Sequence, residues 1–426
     1  MLHTLKKRLY FVVAAYFAFW AKFVLRRWKP RIVVITGSSG KTTLLHLVEA
    51  QLGDKAIYSH HANSAVGIPF HILGLEPNVS SRAKWLGYIL SAPLHAFRRS
   101  PKTKLYIVEA DCDRPREGAF TSQLLKPEVT MWISVYNTHS MNFDTLVSSG
   151  SFGTHEDAIA YEFGNFVVAT TKLVIANGDQ PALTEQLKRI AEGVNVVTVS
   201  AKALTKYSVM ADETVFSFGK HNVYLPGLLP KDTSLSLQMV DELVKYLNVE
   251  FDPLYGSLEL PPGRSNMLKG INGTTLIDST YNTGLGATIA VLELFRAYPS
   301  LHKWLVIGDI LEQGDLEREE HERLADAVQD SLVEHVVLLG KRTHEYTYPL
   351  LRKQLPADMV VSFEKAGDVL DYLQKQLKGG EVLLFKGAQG LEGVIEQLLA
   401  DPNDASRLVR REAVWVKRRQ QWGLPQ

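Results

Sequence analysis

The chain predicts an α/β protein in which two parallel-sheet domains follow a hydrophobic N-terminal helix. Three observations predict it. A β-branched run, Ile32–Ile35, ends in Gly-Ser-Ser-Gly-Lys-Thr-Thr and leads straight into an amphipathic stretch. Short apolar runs then alternate with helical patterns along the rest of the chain, the mark of parallel α/β architecture. A Pro-Pro-Gly break at 261–263 divides that series in two. At 426 residues the chain exceeds one ordinary core, so two or three domains are expected.

The N-terminal element comes first. Leu9–Ala21 carries no charge, and Lys22, Arg26, Arg27 and Lys29 follow. With Lys22 snorkelling, Leu9–Leu25 approaches the lower limit of about 17 residues for crossing a bilayer. Its aromatic and basic flanks suit an interfacial helix. Residues 1–29 are therefore read as a membrane anchor, with a helix packed on the protein itself or on a partner chain as the alternative. No small-residue cleavage site precedes Ile32, which argues against a signal peptide. The body is expected in the cytoplasm, at the inner face of the membrane.

Ile32–Ile35 reads as a buried parallel strand. Gly37 and Gly40 allow a tight turn whose backbone N–H groups face an anion, and the helix starting near Lys41 aims its positive end at the same spot. In a phosphate loop Gly37, Ser38, Ser39 and Gly40 cradle the phosphates, Lys41 reaches the terminal ones, and Thr42 and Thr43 follow, Thr42 offering its hydroxyl to Mg²⁺. Ile35 stands where a full Walker motif has glycine. The other reading is a tight βα turn with a surface lysine.

Leu105–Asp111 and Val129–Val135 are the next buried strands, and Val147–Thr154 is a Gly/Ser loop. A strand reaches Asn177, the stretch Val196–Pro226 is strand-rich, and Thr233–Leu247 is a helix with an apolar stripe. Beyond the break come four strand-like runs, "TTLIDST", "KWLVIGDI", "HVVLLG" and "EVLLFKG". They predict a doubly wound, Rossmann-like sheet whose strand ends form a ligand crevice. Asp315–Asp330 reads as a charged, solvated helix. The domain expectation is 1–29 for the N-terminal helix, 30–257 for a central P-loop ATPase domain, 258–400 for the Rossmann-like C-terminal domain and 401–426 for a basic tail. A net charge of +1 gives no pull toward nucleic acid, and the lone Cys112 rules out an intramolecular disulfide or a cysteine zinc cluster.

Several motifs in register resemble the Mur ligase family, most closely its D-alanyl-D-alanine-adding branch, over Arg31–Leu399. The loop TGSSGKTT has the family's short form. "NSAVGIPF" (Asn63–Phe70) is similar to its Asn-Asn-x-x-Gly-x-Pro segment, with Ser64 in place of the second Asn. "ANGDQP" carries its Asn-x-Asp through Asn177 and Asp179, and "LPPGR" supplies Gly263 and Arg264. "IDSTYNTG" keeps Asp278, Tyr281 and Asn282. "GDILEQGDLEREEH" resembles Gly-Asp-Met-Leu-Glu-Leu-Gly followed by His, and "FKGAQG" resembles the closing Lys-Gly-Ser-Arg.

The resemblance implies an ATP- and Mg²⁺-dependent amide ligase, acting through an acyl phosphate in cell-wall peptidoglycan synthesis. It implies catalytic roles for Lys41, Glu109, His139 and Arg264, the arginine reaching the phosphates from the other domain. Thr42, Glu109 and His139 would serve the metal, and Asp278, Tyr281 and Asn282 the nucleotide. For His139 a structural role is the alternative, and for Asp278 and Asn282 helix capping. The expected partners are a small-molecule or lipid-linked acceptor, an amino acid or dipeptide, and a membrane surface; no nucleic acid is expected, and the chain is read as a monomer. Four departures stand out. The family's N-terminal domain, which grips a uridine-diphosphate sugar, has no counterpart, and Phe163 replaces the carbamylated lysine. "LPGLLPKDT" keeps only Gly227 of the adenine motif, and Ala388 and Gln389 replace Ser and Arg. The Arg-to-Gln change removes a bidentate partner for a carboxylate. The alternatives are a polyglutamate-type synthase at the membrane and a nucleotide-binding scaffold without turnover.

Overall fold

The computed structural model describes residues 2–76, 82–388 and 390–425, and the chain forms two compact units. The first comprises Met1–Tyr136, Thr145–Ala201 and Leu235–Asp252; the second comprises Asn137–Asp144, Lys202–Ser234 and Pro253–Gln426. Two stretches within 30–257, Asn137–Asp144 and Lys202–Ser234, thus pack with residues beyond the Pro-Pro-Gly break.

The first unit opens with α1 (Leu2–Trp28). Its Ala14, Phe17, Ala21, Val24 and Trp28 are buried, a helical spacing that turns one face inward. There follow β1 (Arg31–Thr36), α2 (Lys41–Leu52), β2 (Ile57–Tyr58), α3 (Gly67–Leu73), α4 (Arg82–Ala96), β3 (Leu105–Ala110) and α5 (Glu117–Leu125). Then come β4 (Val129–Trp132), the short α6 (Asp144–Ser148), α7 (His155–Ala169), β5 (Leu173–Asn177), α8 (Pro181–Leu187), β6 (Asn195–Val199) and α9 (Thr233–Leu247). The sheet order is β2-β3-β1-β4-β5-β6, and every pairing in it is parallel. β1 is central and covered on both sides, which explains an unbroken apolar strand. β4 ends at Trp132 rather than at Val135, because the next residues turn their polar groups to the loop after β1: the Ser38 N–H donates to the Ser134 carbonyl at 2.9 Å.

The second unit contains an antiparallel meander of β7 (Leu204–Val209), β8 (Glu213–Phe218) and β9 (His221–Pro226). Its main elements are β10 (Asn266–Lys269), β11 (Thr275–Ser279), α10 (Leu285–Ala297), β12 (Lys303–Gly308), α11 (Glu317–Gln329), β13 (His335–Leu339) and α12 (Tyr348–Gln354). They continue with β14 (Val360–Phe363), α13 (Ala366–Gln376), β15 (Val382–Lys386), α14 (Leu391–Gln397) and α15 (Ala413–Gln421). The order β10-β11-β15-β12-β13-β14 is parallel except for the antiparallel edge β10. Alternate residues face opposite layers: Ile277, Leu305 and Leu384 pack with Phe295 and Leu324, and Leu276, Val306 and Phe385 pack with Leu373 and Leu391. The tail is docked on this unit, with Arg411 and Arg419 both paired to Glu396.

Candidate active site

The site in the first unit is built at the C-terminal end of β1. Gly37 has φ +134, and a Cβ there would lie 2.8 Å from the Ser134 carbonyl oxygen, so the loop requires glycine to approach β4 this closely. Serines stitch the loop down: the Ser39 N–H donates to Ser134 Oγ at 2.9 Å, and the Tyr136 N–H to Ser38 Oγ at 2.9 Å. The Ser38 and Ser39 amides, expected at the phosphates, are thus committed to Ser134. What remains to cradle an anion is the start of α2. Gly40, left-handed at φ +83, gives no side-chain cap, and the first N–H groups of a helix have no partner within it.

Lys41 lies inside this cradle, only 7% exposed. Its Nζ sits 2.9 Å from Asp111 Oδ2 and donates to the Gly37 carbonyl at 2.6 Å. Burial alone would lower its pKa; the carboxylates of Asp111, Glu109 and Asp113 outweigh that and hold the ammonium above its ordinary value. Thr42 Oγ1 donates to Glu109 Oε2 at 2.9 Å. A hydroxyl and a carboxylate side by side form a hard oxygen pair suited to Mg²⁺, and these two residues would hold it. Asp111 escaped the sequence reading. The usable signal was strand alternation: it stands two residues after Glu109 and so on the same side of the chain.

Phe163 is 1% exposed and packs against Trp132 at 6.2 Å between ring centroids, so that position offers no metal ligand. Its neighbour Glu162 does not take over. It accepts the Arg116 and Gly118 N–H groups at 2.6 and 3.1 Å, serving the start of α5.

Thr43 follows Thr42 in the first turn of α2, and the other predicted residues lie in the second unit. His139, left-handed at φ +54, pairs through Nδ1 with Glu312. Asp278 is fully buried at the end of β11, where Oδ1 accepts the Thr280 N–H at 3.0 Å and the Thr280 hydroxyl at 2.7 Å. Burial pushes its pKa up to about 6 against the lowering by Thr280. Asp278 thus shapes the turn leading to Tyr281 and Asn282. Asn282 Oδ1 accepts the Thr283 and Gly284 N–H groups at 2.6 and 3.2 Å, just ahead of α10. Arg264 stacks over the Tyr281 ring at 4.5 Å. Lys386, 3% exposed, donates to the Asn282 carbonyl at 2.5 Å. Ala388 is buried, and Gln389 lies outside the described residues.

Burial, with Arg264 as a lesser cause, lowers the Lys386 pKa from 10.5 to about 7. Between those values the unfolded chain carries a proton at this position that the folded chain has lost, so the group makes stability rise with pH across that window. Lys386→Met removes the contribution. The variant's urea-unfolding free energy, measured at pH 7, 8 and 9, is expected to lose a positive slope of at most about 1.4 kcal/mol per pH unit. A slope equal to the wild-type one would contradict the assignment.

Residues 263–389 match the family described as Mur ligase, glutamate ligase domain. The chain is 22% identical over 407 residues to the UDP-N-acetylmuramoyl-tripeptide–D-alanyl-D-alanine ligase of Bacillus subtilis, covering 90% of this chain and 79% of the relative. With the ligase of the same name from Synechocystis it shares 25% over 387 residues, covering 88% and 76%. Among solved structures, the MurF ligase of Thermotoga maritima in complex with ADP superposes with a TM-score of 0.70 at 20% identity, covering 89% of this chain and 81% of that one. MurF from Acinetobacter baumannii gives 0.71 at 17%, covering 91% and 80%. These structures establish the fold. The Mur ligase resemblance read from the motifs, and the α/β class with it, are borne out along most of the chain.

Proposed function

We propose that this Mur-ligase-like chain is an ATP-dependent amide ligase working in the cytoplasm on a cell-wall precursor. It would join an acceptor carboxylate, small or lipid-linked, to an amino acid or dipeptide. The single observation that carries the reading is the uncapped start of α2, with buried Lys41 among carboxylates and the Thr42–Glu109 pair beside it.

The chain's own residues account for the work required. Phosphoryl transfer needs positioning and charge neutralisation more than covalent help. The amides at the start of α2 would orient the terminal phosphates, and Lys41 would offset the charge gathering on the γ-phosphoryl group. Mg²⁺, held by Thr42 and Glu109, would supply further neutralisation when bound. Arg264, Tyr281 and Asn282 are assigned to the nucleotide, with Asp278 holding their turn, and His139 is kept as a candidate for the metal or the carboxylate. An acceptor carboxylate oxygen attacks the γ-phosphorus and ADP leaves. The amine nitrogen then attacks the acyl carbon, loses a proton, and phosphate departs carrying one acceptor oxygen.

That last step is measurable. With an acceptor ¹⁸O-labelled in its carboxylate, mass spectrometry should find one ¹⁸O in each phosphate released, with one ADP per amide. Unlabelled phosphate would contradict the acyl phosphate. The buried Phe163 favours one second reading, a nucleotide-binding scaffold without turnover; it predicts ATP binding with no amide from any acceptor. Repeated glutamate addition would indicate a polyglutamate-type synthase instead.

A further inference from the structure

We propose that α1 and α4 together form a docking face for an anionic lipid bilayer, which the protein meets side-on without crossing it. Leu9–Trp28 has the length and composition of a membrane span, yet it is 28% buried within the protein. The buried part is one continuous face. Phe17 packs against Phe70 with 4.4 Å between ring centroids, the Trp28 indole N–H donates to the Thr103 carbonyl at 2.7 Å, and the Tyr10 hydroxyl donates to Glu117 at 2.7 Å. A helix fastened at both ends and its middle cannot stand across a bilayer without leaving α3 and α5, to which it is tied.

The opposite side of α1 is apolar and open: Leu9 is 53%, Val12 68% and Phe19 64% exposed. Alongside it runs α4. Phe17 meets Trp85 at 6.4 Å and Phe23 meets Phe97 at 5.1 Å, and the Arg27 guanidinium donates to the Ala96 carbonyl at 2.8 Å. The two helices therefore run in the same direction. α4 adds Leu86, Leu90 and Leu94, each more than 60% exposed and four residues apart, hence one stripe. Phe97 extends it, also 63% exposed.

Charge identifies the occupant. The same end of both helices bears exposed cations, Arg26 and Lys29 on one and Arg98, Arg99 and Lys102 just past the other. No Asp or Glu occurs in residues 1–48 or 77–108, although the whole chain carries a net charge of only +1. An apolar plane with an acid-free basic edge matches acyl chains below and anionic headgroups around them. A second copy of the chain fits worse, because a two-fold contact through this face would bring its cations together. The surface stands independently of the ligase reading.

The test is flotation of the full-length protein with vesicles of phosphatidylcholine alone or with 30% phosphatidylglycerol. The wild type should float with the anionic vesicles, weakly with the neutral ones, and less at 0.5 M NaCl. Leu90→Glu/Leu94→Glu lies on the exposed stripe of α4 and should cut the floated fraction at least tenfold, with melting temperature and ATP turnover unchanged. Arg98→Glu/Arg99→Glu should remove the preference for phosphatidylglycerol. Wild-type protein that stays with no vesicle, an α4 variant that floats like wild type, or carbonate-resistant insertion would each overturn the proposal. So would a concentration-dependent dimer that the α4 variant abolishes.

Discussion

Lys41→Ala is expected to lower ATP turnover by roughly a thousandfold or more, the scale of losing a preorganised charge at a transferring phosphoryl group. The reason is the company Lys41 keeps. Its ammonium sits 2.9 Å from Asp111, and Glu109 and Asp113 also act on it. Without the lysine these carboxylates face an incoming triphosphate with their charge uncompensated, so ATP binding should weaken along with turnover. Part of the effect is structural: breaking a buried pair leaves the partner stranded, at a cost of up to about 3–5 kcal/mol. Asp111 keeps 16% of its side chain exposed and can rehydrate, which places the loss toward the low end. Phosphate release and melting temperature measured on the same preparation separate the two effects. Turnover within threefold of wild type, in a folded variant, would show that Lys41 does not serve the phosphates.

The second large effect belongs to Gly37. An alanine there meets the Ser134 carbonyl oxygen at 2.8 Å and the Ser134 nitrogen at 2.9 Å, on a backbone at φ +134. Backbone cannot swing aside as a long side chain can, so the loop must lift away from β4 and carry the start of α2 with it. Gly37→Ala should cost about 2–4 kcal/mol of stability and abolish protection by ATP against thermal unfolding. Gly40 provides the contrast. Its φ is +83, but the nearest atom to an added Cβ is the Ile133 side chain at 3.5 Å, so Gly40→Ala should cost about 1 kcal/mol. Equal losses in the two variants would mean that crowding against Ser134 does not shape the loop.

Much of the fold was legible because parallel strands covered on both faces are written as near-continuous apolar runs; Ile32–Ile35, Leu305–Ile307 and Val336–Leu339 are such runs. The phosphate loop was legible because its backbone demands glycine. What stayed hidden depends on tertiary partners. Nothing local announces that Ser134 takes up the Ser38 and Ser39 amides, or that β4 must stop at Trp132 to allow it. The burial of Asp278 follows from its place at the end of an interior strand, whereas its motif reads as a surface cap. Glu162 stands beside the Phe163 substitution in sequence, yet it points to the start of α5, which only the packing of α7 on α5 decides. The Leu86–Phe97 stripe is not legible locally, because nothing in the nearby sequence pairs α4 with α1.

The role of the α2 start in holding ATP is tested by a calorimetric titration of the full-length protein with ATP, with and without Mg²⁺, repeated for Lys41→Met and Glu109→Gln. The wild type should bind ATP saturably, one to one, and more tightly with Mg²⁺. Lys41→Met should weaken binding in both conditions, and Glu109→Gln should lose most of the Mg²⁺ dependence. Wild-type protein that binds no ATP, or variants that match its affinity and its response to Mg²⁺, would contradict that role.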